Sequence, residues 1–388
     1  MPAIGMLKTV LYVCASSAYF INHHLHLAAT GRDFQTHAAL ALDDESDRKI
    51  VEDRGVRVHS LNLTRKSVNP FQVLNEAWEL RRIVKTVNPD LINPIALKSA
   101  LVALMAATGL SCGVVASITG LGYLFTGNTI GRMILRALTL TALTLFLRKR
   151  RHTLLFSNTA DRDVFLKLRV TARERMHIVP IPGVDTAEFA FTPEPASGFR
   201  VVLPARMLWD KGVAEFVVAA AIAKREIPEA EFILAGRPDT GNPESIGEGQ
   251  LREWSASGSV SWIGHCDYMP KLLASCHVVC LPSYYREGFP RVLVEALACG
   301  RAVVTTDWPG CRDVLNETEA GLLVPVRNAA ALADAIKFLY QAPEARREMG
   351  RQGRRKVEKE LSQEKITGAI LDIFAQVYAE RGRPKWDF

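Results

Sequence analysis

The sequence predicts an α/β protein with two Rossmann-like, doubly wound domains. The chain has 388 residues, enough for two domains that each bury a core. Short β-branched runs alternate with helical stretches, and this βαβ rhythm is typical of parallel sheets. The rhythm occurs twice, on either side of the Pro-rich stretch 191–198. We therefore expect domains at 1–190 and 199–388 with a linker at 191–198, and the last helix is a candidate to pack back on the N-terminal domain.

The individual elements follow from local composition. Runs rich in Val, Ile and Thr favour strands, because branched side chains pack well on a pleated surface. Such runs begin near residues 8, 56, 113 and 153 in the first half and near 200, 231, 260, 277 and 302 in the second. Helices are expected at 74–87, 213–225 and 329–340.

The cysteines indicate buried thiols rather than disulfides or zinc. The chain has 7 cysteines and no C-x-x-C pair, and most of them lie in apolar runs. One cluster combines histidine and cysteine, but its spacing fits no standard zinc pattern; it comprises His265, Cys266, Cys276, His277 and Cys280. The N-terminus has no basic region followed by a cleavage site, so we expect no signal peptide and a cytoplasmic, reducing compartment.

The positive charge is concentrated in one region. The net charge is +7, and no Asp or Glu occurs between Asp90 and Asp161. The basic residues of that span are Lys98, Arg132, Arg136, Arg148, Lys149, Arg150 and Arg151. A local basic patch implies an anionic partner such as a lipid surface, a lipid phosphate or nucleic acid. Nucleic acid is not expected, because the span lacks interleaved aromatic residues and a known binding motif.

An apolar stretch at 137–147 lies inside this basic region. It is about half as long as a membrane crossing, which needs ~20 residues. Two interpretations stay open: a buried domain helix with a solvated basic end, or an interfacial helix with a polybasic anchor at 148–151. The acid-free surroundings favour the second, and with it a peripheral position on an anionic membrane surface.

The segment 278–300 has the features of a nucleotide-sugar site. A strand-like run is followed by Glu287, then by Gly288, Phe289 and Pro290 at a predicted helix start. Free N–H groups at a helix start bind phosphate, and glycine permits close approach. Glu295, a lone acid in an apolar helix, could accept hydrogen bonds from the ribose hydroxyls. The alternative is that Glu295 is a buried structural acid and Glu287 a solvated loop residue.

A second basic pair follows the strand that begins near residue 200. Arg206 lies at the predicted carboxyl end of this strand, and Lys211 opens the next helix. Doubly wound sheets bind ligands at the carboxyl ends of their strands. These cations are therefore candidates to stabilise a departing diphosphate.

These motifs resemble family 4 glycosyltransferases, retaining enzymes whose GT-B fold has two Rossmann-like domains facing a cleft. The resemblance rests on the E-x7-E pattern from Glu287 to Glu295 and on the R-x4-K pair of Arg206 and Lys211. The resemblance is strong after residue 200 and moderate before it. It places the nucleotide sugar on the C-terminal domain and the acceptor on the N-terminal one. The donor-binding residues it implies are Arg206, Lys211, Ile263, Gly264, Gly288, Phe289, Pro290, Arg291, Val292 and Glu295, with Glu287 as the catalytic residue near the sugar.

The first half resembles a bacterial subgroup that builds polysaccharide or glycan intermediates on polyprenyl diphosphate carriers. The similar segments are 15–28, 92–99 and 117–127. They supply candidate acceptor or sugar contacts at Ser17, Tyr19, His24, Lys98, Thr119 and Gly120. Many family members have a histidine where this chain has Thr119, and His23, His24 or His26 could take its place.

The resemblance implies transfer of a sugar from a UDP-sugar, or alternatively a GDP-sugar, to a lipid-linked or saccharide acceptor. Configuration is retained, the donor phosphate helps deprotonate the acceptor, and neither metal nor other cofactor is required. The D-x-D match at Asp161 and Asp163 is expected to be a helix start rather than a metal site. A UDP-sugar epimerase of the same fold is the alternative, and the basic region argues against it.

Overall fold

The structure is a computed structural model that describes residues 8–31, 34–64, 69–121, 125, 130–147 and 152–380. The basic run 148–151 lies outside these ranges. The chain separates into two compact units, with Met1–Pro182 and Ile366–Phe388 in the first and Gly183–Lys365 in the second.

This division differs from the predicted boundary at 191–198. That stretch belongs to the second unit, because two arginines hold it there. Arg301 donates to the carbonyl of Thr192 at 2.7 Å. Arg346 forms a buried ion pair with Glu194 at 2.9 Å. The Pro-rich stretch is largely exposed, but these contacts anchor it to the second unit, so it is not a free linker.

The first unit alternates strands and helices almost throughout. Its strands are β1 (Thr9–Cys14), β2 (Gln35–Leu40), β3 (Arg57–Ser60), β4 (Leu91–Pro94), β5 (Gly113–Ile118), β6 (His152–Phe156) and β7 (Met176–Ile178). Its helices are α1 (Ser17–His23), α2 (Leu25–Thr30), α3 (Ser46–Glu52), α4 (Pro70–Val87), α5 (Leu97–Ala106), α6 (Ile130–Leu147) and α7 (Thr159–Lys167). A 3₁₀ turn at Arg173–Arg175 precedes β7.

The sheet of the first unit is parallel, with the order β3-β2-β1-β4-β5-β6-β7 among the described residues. The chain runs outward from β1 to β3 and then returns to β4 beside β1, so the topological switch lies between β1 and β4. One face packs on α4, α5 and α6, through residues such as Leu80, Val102 and Leu143. The other face packs on α1 and α2 and on the helix at the C-terminus of the chain.

The second unit repeats this plan. Its strands are β8 (Arg200–Pro204), β9 (Glu231–Ala235), β10 (Ser261–Trp262), β11 (Val278–Leu281), β12 (Ala302–Thr306) and β13 (Gly321–Val324). Its helices are α8 (Val213–Ala223), α9 (Glu248–Ala256), α10 (Met269–Ala274), α11 (Arg291–Ala298), α12 (Cys311–Leu315), α13 (Ala329–Gln341) and α14 (Pro343–Lys356), followed by a π-helical turn at Val357–Leu361. A 3₁₀ turn at Trp209–Lys211 links β8 to α8.

The order of the second sheet is β10-β9-β8-β11-β12-β13 among the described residues, and its pairings are parallel. The switch in direction therefore lies between β8 and β11. Both sheets have the doubly wound, Rossmann-like topology that the sequence predicts, so the fold class is confirmed.

The last helix, α15 (Gln363–Ala379), returns to the first unit. Its apolar side chains Ile366, Ile370 and Phe374 join the buried cluster beneath β1 and β2. The described part of α15 thus completes a core whose other members lie far away in the sequence.

Helix α6 contains the apolar stretch 137–147. It buries Leu140, Leu143 and Leu147 against the first sheet and exposes Ile134 and Leu138. Among the described residues, none of the helices combines the length and the apolar character needed to cross a membrane.

Candidate active site

The switch between β8 and β11 brings two loops of the second unit together. The loop after β8 contains Arg206 and Lys211, and the loop after β11 contains Glu287. Ligands of doubly wound sheets bind at such a point, where the strands diverge and leave a crevice at their carboxyl ends. The predicted residues therefore lie at the carboxyl ends of β8 and β11, where this fold leaves room for a ligand.

An ion pair joins these two loops. The Nζ atom of Lys211 contacts Oε1 of Glu287, and each side chain is 11% exposed. The hydroxyl of Ser283 donates to the same carboxylate oxygen at 3.0 Å. The ammonium also lies 5.3 Å from the ring centroid of Tyr285, within cation–π range. Glu287 is thus a buried, partnered acid rather than a solvated loop residue.

Glycines permit the close approach of these loops. Gly212 has a φ of +74°, and a Cβ atom there would lie 2.2 Å from the carbonyl oxygen of Pro282. Gly310, after β12, has a φ of +84°, and its Cβ would lie 2.4 Å from the carbonyl oxygen of Glu287. Any larger residue would separate the backbones that position Lys211 and Glu287.

Arg206 is an exposed cation at this site. Its guanidinium donates to Oδ2 of Asp239 at 2.6 Å, and the arginine side chain is 54% exposed. Because the pair is open to solvent, it contributes little to stability. An anionic ligand can therefore compete for Arg206 at small cost.

Helix α11 supplies the second acid. The sequence predicts Pro290 in the first turn of this helix. In the structure Pro290 is the N-cap residue, with extended backbone, and the helix begins one residue later, at Arg291. The carboxylate of Glu295 pairs with Nε of Arg291 at 2.6 Å. Burial raises the pKa of Glu295, and the charge of Arg291 opposes this shift. Phe289 and Val292 pack into the adjacent core and fix the start of the helix.

Ile263 and Gly264 follow β10 at the same edge of the sheet. Ile263 is exposed, and its backbone N–H donates to the carbonyl of Leu234 at 3.0 Å. Gly264 has a φ of +71° with open space where a Cβ would be, and its carbonyl accepts from the N–H of Gly236 at 2.6 Å. The space beside Gly264 is therefore open, and both residues stay candidates for donor binding.

The sequence analysis missed Asp210, Ser283 and Tyr285. The carbonyl of Asp210 accepts from the N–H of Tyr285 at 3.0 Å and from the hydroxyl of Ser283 at 3.2 Å. Burial raises the pKa of the Asp210 carboxyl, whereas the charge of Lys211 lowers it. Their proximity in sequence to Lys211 and Glu287 could have identified them as candidates. Their contacts could not be predicted, because these depend on how β8 and β11 pair.

Three predicted acceptor residues lie together at the carboxyl ends of β1 and β5 in the first unit. The hydroxyl of Tyr19 contacts Oγ1 of Thr119 at 3.2 Å. Gly120 follows with a φ of +147°, a backbone conformation that favours glycine. Ser17 is also near this edge, but it is buried and its hydroxyl donates to Asp47 at 2.5 Å.

His24 and Lys98 are predicted to contact the acceptor, but in the structure both contact other parts of the first unit. His24 is fully buried, and burial holds its pKa well below the usual range, with His23 and His26 acting in the same direction. The ammonium of Lys98 pairs with the buried Glu76 at 2.9 Å and donates to the carbonyl of Thr64 at 2.6 Å. In this structure His24 is part of the interior of the first unit, and Lys98 is engaged in an ion pair within it.

Metal-ligand residues do not gather within the described ranges, where no group of three or more His, Cys, Asp or Glu side chains is arranged to hold an ion. Asp161 is fully buried in the first turn of α7, and its N–H donates to the N-cap side chain of Asn158 at 2.8 Å. Asp163 pairs with Arg162. Six of the seven cysteines are buried, and Cys266 is half-buried.

Two family models match the chain, and each corresponds to one half. The model described as "Glycosyl transferases group 1" matches residues 185–356. The model described as "Glycosyl transferase 4-like" matches residues 9–158. The first range contains the Lys211–Glu287 pair and Glu295, and the second contains Tyr19 and Thr119.

Curated relatives are bacterial transferases. A Campylobacter jejuni enzyme is 29% identical over 312 residues, which cover 77% of this chain and 80% of the relative. It is named N,N'-diacetylbacillosaminyl-diphospho-undecaprenol alpha-1,3-N-acetylgalactosaminyltransferase. The phosphatidyl-myo-inositol mannosyltransferase of Mycolicibacterium smegmatis is 36% identical over 170 residues, but the match spans only 42% of its length. Similarly, 45% of the putative glycosyltransferase EpsD of Bacillus subtilis is covered. These names do not favour the epimerase alternative.

Solved structures share the whole fold. The crystal structure of Anabaena HepE in complex with UDP and glucose has a TM-score of 0.76, with 18% identity over 95% of this chain and 99% of that chain. Sucrose-phosphate synthase from Thermosynechococcus elongatus has a TM-score of 0.77, with 19% identity over 96% of this chain and 100% of that chain. One glycosyltransferase family model matches in each unit, the relatives are transferases, and the solved structures share this architecture. The chain therefore belongs to the family 4 glycosyltransferases of the GT-B fold.

Proposed function

We propose that this glycosyltransferase moves a sugar from a UDP-sugar to a lipid-linked or saccharide acceptor, with retained configuration and without a divalent metal. The observation that carries the proposal is the buried Lys211–Glu287 pair at the switch between β8 and β11. Arg206 lies on the same loop as Lys211, and Glu295 follows in α11. The complex of Anabaena HepE with UDP and glucose supports a uridine nucleotide as the donor class.

The diphosphate of the donor is proposed to bind the two cations. Arg206 would exchange the half-buried Asp239 for a phosphate, and Lys211 would share its ammonium between Glu287 and phosphate. The N–H groups at the start of α11 add a partial positive charge. These groups matter most when the bond between the sugar and the phosphate breaks, because they stabilise the negative charge that develops on the departing UDP.

Retention requires attack on the face that the UDP leaves. The acceptor hydroxyl forms a bond to the anomeric carbon while the bond from that carbon to the phosphate oxygen breaks. The proton of the hydroxyl passes to a phosphate oxygen of the departing UDP, so no protein base is needed. Glu287 is proposed to lie near the sugar, and the hydroxyl of Ser283 and the ammonium of Lys211 fix the orientation of its carboxylate. Glu295 is proposed to accept from the ribose hydroxyls beside Arg291.

The acceptor is proposed to bind the first unit near Tyr19, Thr119 and Gly120. The Campylobacter relative is named for a sugar carried on undecaprenyl diphosphate, which supports a lipid-linked acceptor class. Such an acceptor would keep this chain on the cytoplasmic face of the membrane as a peripheral protein. The exposed apolar residues of α6, among them Ile130, Ile134 and Leu138, support this location.

Substitution of the donor-site residues tests the proposal. We expect Arg206→Ala and Glu295→Ala each to weaken UDP affinity or turnover by roughly tenfold or more, because a hydrogen bond to a charged group contributes about 1.5–3 kcal/mol. Calorimetry with UDP measures the affinity. Turnover is measured with a panel of UDP-sugars and a polyprenyl-diphosphate acceptor.

Arg200→Ala is the matched control. Like Arg206, Arg200 pairs with an acid, Glu231, at 2.7 Å, but it lies at the start of β8 whereas Arg206 follows the end of that strand. It should bind UDP like the wild type. Wild-type affinity and turnover in both donor-site variants would contradict the assignment.

A further inference from the structure

The outer face of α4 is unusually apolar for a surface helix. Phe71 is 82% exposed, and Leu74 and Trp78 are each 55% exposed. These residues follow one another at spacings of three and four, so they lie on one side of the helix. A single exposed apolar residue is normal, but a row of three with two aromatic rings indicates a surface for a partner.

The same side of the helix continues as a cationic surface. Arg82 and Lys85 are exposed at the spacings that extend the row. The Arg82 guanidinium lies 3.5 Å above the ring of Trp78, which links the two halves through a cation–π contact. Helix α4 has two carboxylates, and neither extends this row: Glu76 is buried and pairs with Lys98, and the half-exposed Glu79 accepts from Asn62.

The orientation of α4 is set by its opposite face. Ala77, Leu80 and Val84 are buried in the core of the first unit, and the buried Glu76 is held by Lys98. Asn69 caps the start of the helix, accepting from the N–H of Phe71 at 3.0 Å. The helix therefore presents Phe71, Leu74 and Trp78 outward as a fixed row.

A second apolar row lies on the same side of the sheet. Helices α4 and α6 both pack against α5, and all three contribute to the same buried cluster. Helix α6 exposes Ile130, Ile134 and Leu138 at spacings of four. Two outward apolar rows in one helical layer fit an extended partner better than a small ligand.

We propose that the outer face of α4 docks on an anionic lipid bilayer. Phe71, Leu74 and Trp78 enter the interfacial layer, where aromatic side chains are favoured, and Arg82 with Lys85 contact the lipid phosphates. A second copy of this chain fits less well, because the two carboxylates of α4 already have partners, Lys98 for Glu76 and Asn62 for Glu79, and do not neutralise Arg82 and Lys85. The inference rests on the proposed peripheral location but not on the sugar-transfer chemistry.

Vesicle co-sedimentation tests the apolar half of the face. The double variant Phe71→Ser, Trp78→Ser should bind vesicles of phosphatidylcholine with phosphatidylglycerol roughly tenfold more weakly than the wild type, because the interfacial contact of two aromatic rings is lost. Phe338→Ser is the matched control, because Phe338 is a 47% exposed aromatic residue on α13 of the second unit. It should bind like the wild type. Thermal unfolding and UDP affinity of each variant establish that it is folded.

Charge reversal tests the cationic half. Arg82→Glu with Lys85→Glu should weaken binding by more than about 25-fold, since each basic residue near an anionic surface contributes roughly fivefold. The effect should disappear at high salt and with pure phosphatidylcholine. Arg351→Glu with Arg355→Glu, on α14 of the second unit, is the charge-matched control and should leave vesicle binding unchanged.

Each other outcome excludes the proposal or points to a different partner. Unchanged binding in both α4 variants, combined with loss of binding when Arg148, Lys149, Arg150 and Arg151 are replaced by Ser, would keep the peripheral location and overturn the role of α4. Absence of vesicle binding by the wild type would overturn both. A dimer in sedimentation equilibrium that Trp78→Ser dissociates would assign the face to a second copy. Intact vesicle binding without sugar transfer would contradict the proposed function alone.

Discussion

At the scale of single residues, the site depends on charges that are already neutralised within the protein. Lys211 and Glu287 are mutually paired and little exposed, and Glu295 is paired with Arg291. Removing one partner of a buried pair leaves the other uncompensated, which costs more than the pair itself contributes. These acids and cations are therefore held in place before a ligand arrives, and binding has only to redistribute their contacts.

His24 should make the stability of the first unit depend on pH. Its pKa is lowered by burial, so the native state stays neutral while the unfolded chain binds a proton below about pH 6.5. The free energy of unfolding should therefore be highest above this pH and fall as the pH decreases toward the native pKa, with a limiting slope of about 1.4 kcal/mol per pH unit. Urea unfolding of the wild type and His24→Leu between pH 7.5 and 5 measures the difference in slope.

The comparison for His24 is the wild type over the same pH range. If His24→Leu and the wild type lose stability equally between pH 7.5 and 5, the burial of His24 does not control this pH dependence.

Removal of divalent metal should leave turnover intact. The candidate carboxylates Asp161 and Asp163 are used in a helix start and in an ion pair with Arg162, whereas Arg206 and Lys211 are available to the diphosphate. Turnover after dialysis against EDTA should match that of untreated protein. Loss of turnover that Mn²⁺ or Mg²⁺ restores would show that the phosphate site requires a metal.

At the scale of elements, the loops after parallel strands carry the site, and glycines set their spacing. Gly212 is the N-cap residue of α8 and lies next to the carbonyl of Pro282, and Gly310 is the N-cap residue of α12 and lies next to that of Glu287. Both have positive φ, so these positions combine a restricted backbone with a lack of space. The geometry of the Lys211–Glu287 pair therefore depends on residues that contact no ligand.

Gly212→Ala should weaken the donor site through the backbone. The added Cβ would overlap Pro282, so the loops after β8 and β11 must separate. We expect a loss of about 1–3 kcal/mol in the free energy of unfolding of the second unit, together with weaker UDP binding. Gly198→Ala is the control, because Gly198 has a similar φ of +75° but no neighbouring atom within 4 Å. It should cost about 1–2 kcal/mol and leave UDP affinity unchanged. Equal UDP affinity in both variants would contradict this account.

At the scale of the whole molecule, β1 and α15 lie far apart in the sequence and contribute to the core of the same unit. Phe374 in α15 is fully buried in the cluster that also contains Val10 and Tyr12 of β1. The second unit is built around its own apolar clusters, and two buried arginines, Arg301 and Arg346, anchor the stretch 191–198 to it. Each unit thus has its own core, and the polypeptide enters the second unit and leaves it again.

Phe374→Ala should destabilise the first unit selectively. Truncation of a buried phenylalanine costs about 3–5 kcal/mol. Hydrogen exchange should therefore accelerate in β1 and β2, although these strands lie at the other end of the sequence. The exposed neighbour Gln376→Ala should have no such effect. Faster exchange in β8 and β11 instead would indicate that α15 stabilises the second unit.

Local composition was sufficient for most of the second unit and for part of the first. Strands such as β8, β11 and β12 are runs of branched apolar residues, so their type could be predicted before their position in the sheet was known. By contrast, β2 reads QTHAAL and β4 reads LINP, and neither was predicted. Alanine and polar residues in these strands give no local signal, because their burial comes from neighbouring strands.

The sequence by itself determined the fold class, the family and the segments that bear the candidate site. Periodicity, glycine positions and the spacing of Glu287 and Glu295 are local properties, which can be read along the chain. Only the tertiary structure decided that Lys211 meets Glu287 across 76 residues, that His24 is buried and that the boundary lies at Pro182. The reason is physical: strand order and packing bring together residues whose separation in sequence carries no information about their contact, and burial then decides which charges a ligand can reach.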